Sequence, residues 1–456
     1  LGTKGLEASA RYLEGHLAAL GLPPLGKSYF QTVPLREIRE MGGELRIELP
    51  GQGAFRWKHG STCLLPELDP QVLAAPLVFA GYGIREEALG HDDFKNLDVK
   101  GKVVLLLGGL PPGERWRTPE LRAKYGSTKA TERYAARVEL LDQMGAKAVI
   151  ALEEGLDPAA AASRARPFFR PEAGVVSTDE PPLVRVPREQ AESLLVALGG
   201  AGARPLPGAL ATLQATGGVR PSSSRNVIAL LEGSDPKLKS EAVLLGAHMD
   251  HLGMAEGLLH PGADDNASGV SALLEIARAF KASPLRPRRT LIFAFWTGEE
   301  DGKFGSGHYV RHPLWPLART SAYLNLDMIG HPWTAEELRK LALELDPAGA
   351  EAFLARTRPA EFAEPGFAEW APELGSVLAR AGRATGMALH LDRTDGCSGG
   401  SDYRDFARAH VPFVRFFGNY FPEYHEPGDT ARNLDPAQVQ RMARLAFATA
   451  WMLAER

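Results

Sequence analysis

Two adjacent glutamates, Glu299 and Glu300, follow an apolar and aromatic run that stops at Thr297 and Gly298, in the segment LIFAFWTGEE, residues 291–300. Like charges side by side repel each other, and a buried carboxylate is costly unless a positive group lies opposite. The nearest lysine, Lys303, is a weak partner for two negative charges. A metal ion is a better partner, so the pair predicts that further metal ligands lie elsewhere in the chain.

Acidic residues and histidines also follow several other apolar runs in the second half of the chain. If these runs are parallel strands, their carboxyl ends meet at one edge of the sheet, where ligands gather. Imidazole and carboxylate groups are the usual nitrogen and oxygen ligands of zinc. Solvation alone is a poor explanation for so many of them in this arrangement. The candidates, beyond the two glutamates, are His248, Asp250, Asp265, Asp327 and His425.

The sequence around these candidates predicts an α/β fold. Near-continuous apolar runs such as EAVLLGAH, RTLIFAFW and VPFVRFFG are typical of central strands covered on both faces. Helical periodicity lies between several of them, and the end of the chain predicts a helix capped by Asp435, with Pro436 in its first turn. We predict a mixed, mostly parallel central sheet with helices on both faces, plus an inserted smaller domain of mixed α/β type.

The first half of the chain has a different character, and it suggests the domain bounds. Residues 5–22 predict an amphipathic helix, and short strands with glycine turns begin near residue 41. The segment TGGVRPSSSRN, residues 216–226, is the best linker candidate because it combines glycine, proline and serine. The predicted domains are one of residues 1–40 and 219–456, and an insert of residues 41–218.

Composition is that of an ordinary globular protein. The 456 residues are 44% hydrophobic and 24% charged, with a formal net charge of −4. This balance gives no argument for a nucleic-acid partner, and no apolar run is long enough to span a bilayer. Cys63 and Cys397 lack the spacing of a zinc or redox motif. The chain begins at Leu1 without a signal-peptide pattern, so we expect that a leader was removed or the sequence trimmed.

The motifs AHMDHLG, PGADDNASG, WTGEE, LNLDMIG and EYHEPGDT resemble those of the co-catalytic zinc aminopeptidases, peptidase family M28. The resemblance covers the region after the linker candidate and the start of the chain. Within the insert, LVFAGYGI and DVKGKVVLLL resemble the protease-associated domain often found in this family. The family implies the zinc exopeptidase fold, two zinc ions per chain and peptide substrates. It also implies a secreted or periplasmic protein.

The resemblance also assigns metal ligands residue by residue. His248 and Asp327 resemble the ligands of one zinc ion. Glu300 and His425 resemble the ligands of the other. Asp265, four residues before Gly269 as the motif requires, resembles the aspartate that bridges both ions.

Three further residues are assigned to catalysis. Glu299 resembles the general base. Asp250 lies two residues after His248, on the same side of an extended strand, which suits a carboxylate that fixes the imidazole tautomer. Tyr424, just before His425, is placed to donate a hydrogen bond to the tetrahedral oxyanion.

Peptide hydrolysis explains this pattern chemically. Two zinc ions about 3.5–4 Å apart lower the pKa of a shared water to near 7 and polarise the peptide carbonyl. Side chains of neighbouring residues at a strand end diverge, so Glu300 can face the metal while Glu299 faces the bridging water. Glu299 would then take the proton of the water and pass it to the leaving amine. The resemblance to family M28 implies the release of N-terminal amino acids, its commonest activity, and a pocket rich in carboxylates suits a free amine.

Other polar residues near these motifs are not predicted to be ligands. His251 is expected to be a loop hydrogen-bond partner, because on a strand its side chain would point away from that of Asp250. Asp264 is expected to be a turn residue. Asp402 and Tyr403 are expected at most to support the site. The expected surface, helical or packed residues are His260, His308, His312 and Cys397.

Three alternatives stay open at the level of sequence. A carboxypeptidase of the same fold needs basic side chains for the substrate carboxylate, and Arg393, Arg404 and Arg415 lie in a suitable region. A glutaminyl cyclase shares the fold but uses one zinc ion and usually lacks the insert. An inactive binding protein with a peptidase fold loses ligands, whereas every ligand position is filled here.

Overall fold

A computed structural model describes residues 1–127, 130–163, 167–172, 181–255 and 257–456. Contacts within the described chain divide it into two compact units. The first unit contains residues 1–35 and 222–456, and the second contains residues 36–221. The insert predicted from sequence, residues 41–218, lies within the second unit.

Strands predominate up to residue 107, and from residue 269 onward helices separate the strands or strand pairs. In chain order the strands are β1 Phe30–Leu49, β2 Gly53–Lys58, β3 Gln71–Phe79, β4 Arg85–Glu86, β5 His91–Asp92, β6 Val103–Leu107, β7 Ala148–Glu153, β8 Phe168–Pro171, β9 Leu183–Pro187, β10 Arg204–Leu231, β11 Ala242–His248, β12 Gly253–Ala255, β13 Leu258–His260, β14 Thr290–Trp296, β15 Thr320–Asp327, β16 Phe362–Ala363, β17 Gly366–Ala368, β18 Ala388–Leu389, β19 Asp392–Thr394 and β20 Phe413–Phe417.

The α-helices are α1 Lys4–Ala19, α2 Pro119–Tyr125, α3 Ala130–Gln143, α4 Pro158–Ser163, α5 Glu192–Leu198, α6 Gly269–Ala282, α7 Phe304–Arg311, α8 Ala335–Leu345, α9 Ala350–Leu354, α10 Glu373–Thr385, α11 Tyr403–Arg408 and α12 Pro436–Ala454. Shorter helical turns connect several of these elements, and a π-helical turn, Ala263–Ser268, directly precedes α6.

The first unit is built on a mixed, mostly parallel sheet. Its strand order is β19-β17-β20-β15-β11-β14-β10. β11 pairs in parallel with both β14 and β15, and β15 pairs in parallel with β20. β10 and β17 add antiparallel pairings with β14 and β20. The predicted α/β fold with a mostly parallel central sheet is confirmed.

The central strands of the first unit form because their sequences are apolar throughout. Every residue of β11 and of β14 is buried. Helices α6 and α12 contact each other and the sheet, α10 contacts α12, and α11 contacts α7, β15 and β20. Strands covered in this way have no solvent-facing side, which explains why their sequences do not alternate between apolar and polar residues.

The closing helix α12 begins where the sequence predicted. The carboxylate of Asp435 accepts a hydrogen bond from the backbone N–H of Ala437, and Pro436 occupies the first helical position. An aspartate cap satisfies a helix N–H that has no partner within the helix, and proline loses nothing there because its missing N–H would be unpaired. Among the described residues, no helix combines the length and hydropathy needed to cross a bilayer.

The second unit has parallel strands of its own. β3, β6, β7 and β9 pair in parallel in that order, and the N-terminal part of β10 pairs antiparallel with β3. The boundary between the two units, at Pro221 and Ser222, lies inside the predicted linker of residues 216–226. The segment is not an irregular linker, however, because it belongs to β10, which pairs with β1. Its polar residues reflect an exposed strand. The backbones approach closely there, because a Cβ on Gly217 would lie 3.1 Å from the carbonyl oxygen of Arg39.

Candidate metal centre

Two buried strands of the first unit end at residues predicted to hold one metal ion. β11 ends at His248 and its parallel neighbour β15 ends at Asp327. His248 Nε2 lies 3.2 Å from Asp327 Oδ1 and 3.3 Å from Asp265 Oδ1. His248 and Asp265 are almost completely buried. These three side chains form one group of possible metal ligands.

A second group of possible ligands shares Asp265. His425 Nε2 lies 3.1 Å from Asp265 Oδ2 and 3.2 Å from Glu300 Oε2. The two oxygens of Asp265 therefore face two different histidines. The backbone of His425 has a φ of 58°, in the left-handed region that is unfavourable for residues other than glycine. The structure brings all the predicted ligands together in one cluster.

The donor set fits a pair of zinc ions. Two ligand atoms bound to one tetrahedral zinc ion lie about 3.3–3.5 Å apart, and the nitrogen–oxygen distances of both groups are close to that value. His425 Nε2 makes no well-aligned hydrogen bond to any residue that the structure describes. Each group also offers one nitrogen and two carboxylate oxygens, which leaves a tetrahedral position for water or substrate.

The charges of the cluster also favour cations. Burial lowers the pKa of His425, but contacts with Asp265 and Glu300 outweigh burial and raise this pKa to about 10. The pKa of His248 is raised in the same way, because Asp327 and Asp265 outweigh the effect of burial. The carboxylates thus favour a positive charge at both imidazoles. Divalent cations supply that charge while the imidazoles bind them in the neutral form.

Asp265 is held by a residue that the sequence analysis did not single out. The carboxylate of Asp429 accepts hydrogen bonds from the backbone N–H groups of Asp264 (2.8 Å) and Asp265 (3.1 Å). Asp264 was predicted to be a turn residue, but it is fully buried, and its Oδ2 lies 2.6 Å from His331 Nδ1. The signal that was missed is the position of Asp429 in the same short motif as His425.

Asp250 supports the site in a different way from the one predicted. His248 Nδ1 lies 3.1 Å from the backbone carbonyl oxygen of Asp250, so this carbonyl, not the carboxylate, orients the imidazole. The Asp250 carboxylate instead accepts hydrogen bonds from the backbone N–H groups of Glu299 (3.2 Å) and Glu300 (3.4 Å). Burial raises the pKa of Asp250 to about 6. The side chain therefore fixes the corner of the chain that carries both glutamates.

Glu299 is buried beside the ligand cluster and is paired with a lysine. Its Oε1 lies 3.1 Å from Lys303 Nζ, although the sequence analysis regarded Lys303 as a weak partner. Burial raises the pKa of Glu299, and the nearby Asp402 and Asp327 raise it further. A carboxylate with a raised pKa and no role as a ligand suits proton transfer.

A buried chain of hydrogen bonds supports Asp327. Ser401 Oγ donates to Asp327 Oδ2 (2.5 Å) and accepts from Asn325 Nδ2 (2.8 Å). Tyr323 OH donates to Asn325 Oδ1 (2.6 Å) and accepts from Trp296 Nε1 (2.9 Å). This chain occupies one oxygen of Asp327, so the other oxygen faces His248.

Tyr424 lies next to the ligands, as predicted. Its ring stacks on that of His425 with 3.9 Å between centroids, and the ring of Tyr420 packs against it edge-on. Burial raises the pKa of Tyr424, and the carboxylates of Asp265 and Glu300 raise it further. The phenol is therefore protonated at neutral pH and can act as a hydrogen-bond donor.

His251 is the main residue of the site that the sequence analysis declined. Its Nδ1 lies 2.6 Å from Glu300 Oε1 and 3.7 Å from Asp265 Oδ2. His251 is a loop hydrogen-bond partner, as predicted, but its side chain points toward the ligand cluster and not away from it. The direction differs because β11 ends at His248, so the alternation of side chains along a strand does not extend to His251. The AHMDH spelling, with a second histidine three residues after the first, was the available signal.

The other residues that were not predicted to be ligands have different environments. His260 Nδ1 lies 3.1 Å from the backbone oxygen of His425. Asp402 is fully buried, and burial raises its pKa to about 7. His308 and His312 stack on each other. Cys397 is a free, partly buried thiol.

An α/β unit whose strand ends share one aspartate between two histidine–carboxylate groups is typical of metal-dependent hydrolases. Residues 226–450 match the model of Peptidase family M28. Over these residues the chain belongs to peptidase family M28.

Curated relatives match shorter segments. Leupeptin-inactivating enzyme 1 of Streptomyces exfoliatus is 39% identical over 108 residues, which are 24% of this chain and 23% of that relative. An aminopeptidase of Pseudomonas aeruginosa strain UCBPP-PA14 is 43% identical over 110 residues, which are 24% of this chain and 18% of that relative. The matched part thus spans less than a quarter of each of these proteins.

A solved structure shares the fold over almost the whole chain. The zinc aminopeptidase BSAP from Bacillus subtilis has a TM-score of 0.50 and 22% sequence identity to this chain. The match covers 99% of this chain and 90% of the other. The similarity therefore extends beyond the residues matched by the family model.

Proposed function

We propose that this protein is a two-zinc exopeptidase that releases N-terminal amino acids from peptides. One observation carries the proposal. The two carboxylate oxygens of Asp265 face His248 and His425, and each histidine has a second carboxylate at ligand distance. His248, Asp327 and Asp265 would hold one zinc ion, and His425, Glu300 and Asp265 the other. The aminopeptidase names of the relatives agree with this assignment.

The residues of the chain have separate roles in hydrolysis. Zinc ions held by these ligands would lower the pKa of bound water and polarise the peptide carbonyl. The Glu299 carboxylate takes the proton of the attacking water and returns it to the leaving amine. Glu299 is held by the ion pair of its side chain with Lys303 and by the hydrogen bond of its backbone N–H to the Asp250 carboxylate. Tyr424 donates a hydrogen bond to the oxyanion of the tetrahedral intermediate.

The partners of the basic residues favour an aminopeptidase over a carboxypeptidase. Arg415 Nη2 lies 2.7 Å from Asp392 Oδ2, and Arg393 donates to the carbonyl of Glu369. Arg404 contacts the carboxylate of Asp405. A substrate carboxylate would have to compete with these partners, whereas a substrate amine meets a cluster rich in carboxylates.

A glutaminyl cyclase and an inactive binding protein have less support. A one-zinc glutaminyl cyclase needs only one ligand group, but Asp265 here takes part in two equivalent groups. A binding protein without activity needs neither the ligands nor the buried Glu299. The assignment of residues 41–218 to a protease-associated domain stays a prediction, and so does a secreted or periplasmic location.

Metal analysis and a matched substrate panel test the proposed function. We expect two zinc ions per chain and cleavage of peptides with a free N-terminus. The same peptides should resist cleavage when they are N-acetylated, because the amine no longer meets the carboxylates. Cleavage that instead requires a free C-terminus would identify a carboxypeptidase. Cyclisation of N-terminal glutamine by a protein with one zinc ion would identify a cyclase.

A further inference from the structure

His251 contacts one of the proposed zinc ligands directly. Its Nδ1 lies 2.6 Å from Glu300 Oε1, while Glu300 Oε2 lies 3.2 Å from His425 Nε2. The two oxygens of Glu300 are thus divided between two histidines. Both side chains are shielded from solvent, with 7% of His251 and 8% of Glu300 exposed. Water therefore competes little for this contact.

His251, Asp265 and Glu300 lie close enough together to hold a metal ion, but the individual distances favour a hydrogen bond from His251 over metal binding. The nitrogen–oxygen pairs of the proposed ligands lie 3.1–3.3 Å apart, close to the separation of two atoms bound to one zinc ion. The His251–Glu300 pair is shorter, at the length of a strong hydrogen bond to a carboxylate. His251 Nδ1 is also 3.7 Å from Asp265 Oδ2, farther than His425 Nε2. The contact is a hydrogen bond.

Gly262 and His425 lie against the His251 imidazole and limit its position. A Cβ at Gly262 would collide with the His251 ring, so only glycine at 262 permits this position. On another side the ring of His425 lies 5.7 Å away, at an angle of 63°. His251 Nε2 has no hydrogen-bond partner among the described residues. Nδ1 is the nitrogen that carries the proton toward Glu300.

We propose that His251 is a positioning residue that holds Glu300 through a hydrogen bond from Nδ1 to Oε1, leaving Oε2 for the metal. The inference rests on the proposed two-zinc function. It predicts an asymmetric effect, because Glu300 belongs only to the group of Asp265 and His425. Loss of His251 should lower the zinc affinity of that group and leave the zinc affinity of the group with His248 and Asp327 unchanged.

Zinc titration of metal-free protein tests this role. We would measure both zinc affinities by competition with a chromophoric chelator in the wild type, His251→Ala and His251→Asn. Asparagine is informative because its amide nitrogen is bonded to Cγ, as Nδ1 is in histidine, so it can donate to Glu300 from the same place. His308→Ala is the matched control, since His308 lies in the same unit and contacts no proposed ligand.

We expect His251→Ala to weaken one of the two zinc sites by about 10–100-fold, as substitutions of residues that hydrogen-bond metal ligands do. His251→Asn should restore most of the loss, and His308→Ala should match the wild type. Unchanged affinities in His251→Ala would overturn the inference. Loss that asparagine does not restore would overturn it too, because the imidazole would then act as a ligand.

The titration separates this inference from the proposed function. Two zinc ions in the wild type support the proposed function, whatever the variants do. Fewer than two in the wild type would contradict both. Unfolding curves of the metal-free variants show whether each one folds, so a loss of zinc through misfolding is recognised and His251→Asn, with its smaller change in shape, decides the matter.

Discussion

Asp265 is the residue on which both halves of the metal centre depend, because its two oxygens face two different histidines. It is buried, and Asp429 holds its backbone N–H. Burial alone would raise the pKa of Asp265, but contacts with His248 and His425 outweigh burial and lower it. The carboxylate is therefore ionised over the whole pH range in which the protein would work.

Glu299→Gln should abolish most of the activity and leave metal binding intact. Glutamine fills the same space but cannot accept the proton of water, and general base catalysis contributes about 10²–10⁴-fold. We expect kcat to fall by that factor with two zinc ions still bound. Turnover close to that of the wild type would contradict the role of Glu299 as the base.

His308 should make the protein less stable in mild acid. Burial, together with the nearby His312 and Arg311, lowers the pKa of His308 to about 4. A histidine of the unfolded chain titrates near pH 6.5, so from about pH 6.5 down to 4 the unfolded chain binds a proton that the folded chain does not. Stability is therefore lost as the pH falls through this window.

His308→Ala tests this pH dependence. Going from about pH 7 to pH 5, the free energy of unfolding should fall by about 1 kcal/mol more in the wild type than in the variant, a value reduced for solvent screening of the half-exposed ring. Urea unfolding of the metal-free proteins at both pH values measures the difference. An equal loss in both proteins would contradict the assignment.

Sequence reasoning predicted which side chains meet in the cluster of proposed ligands, but not the contacts that hold them. His248, Asp327 and Glu300 were predictable because each follows a long apolar run. Two contacts could not be predicted: the hydrogen bond from His251 to Glu300, and the hydrogen bonds of the Asp250 carboxylate with the backbone. Both depend on how the chain turns after β11 ends. Side-chain direction outside a regular element has no period that a sequence can display.

Among the elements, the fully buried strands were predictable and the exposed part of β10 was not. β11 and β14 consist of buried residues throughout, and short apolar runs of this kind are typical of central strands. Residues 216–226 of β10 are mostly exposed and contain glycine and proline, which are more frequent in linkers. Their strand pairing with β1 comes from a distant part of the chain, so local composition could not reveal it.

Asp435→Ala should destabilise the first unit through helix α12. The Asp435 carboxylate caps the first turn and also lies 3.1 Å from Arg441 Nη2. Loss of an aspartate cap costs about 1 kcal/mol. Asp435→Asn keeps the capping oxygen and should lose less. Denaturant unfolding measures both, and an alanine variant as stable as the wild type would show that the cap contributes nothing.

At the scale of the whole molecule, the proposed metal centre belongs to the first unit alone. All of its proposed ligands lie within residues 222–456, and residues 36–221 form a unit with separate hydrophobic clusters. Zinc should therefore stabilise the first unit selectively, since a ligand that binds only the folded state adds to its stability.

Removal of zinc should lower the thermal stability of the protein. An ion present at a hundred times its dissociation constant stabilises the folded state by about 2.7 kcal/mol. Calorimetry with and without a chelator should show a lower midpoint for the transition that involves the first unit. Asp265→Asn is the control, because a protein unable to hold the ions should not respond to the chelator. A chelator effect of equal size in this variant would contradict the assignment.

The hydrogen-bonded chain from Trp296 to Asp327 ties a metal ligand to the hydrophobic interior. With phenylalanine in place of Tyr323, the Asn325 side-chain oxygen would lose its hydrogen-bond donor. With alanine in place of Ser401, Asp327 would lose a donor and the Asn325 side-chain nitrogen would lose an acceptor. A single replacement in this chain leaves a buried polar group without a partner, so we expect its residues to change together. Among distant relatives, replacements at these positions should appear together, as complete substitute sets and not as isolated changes.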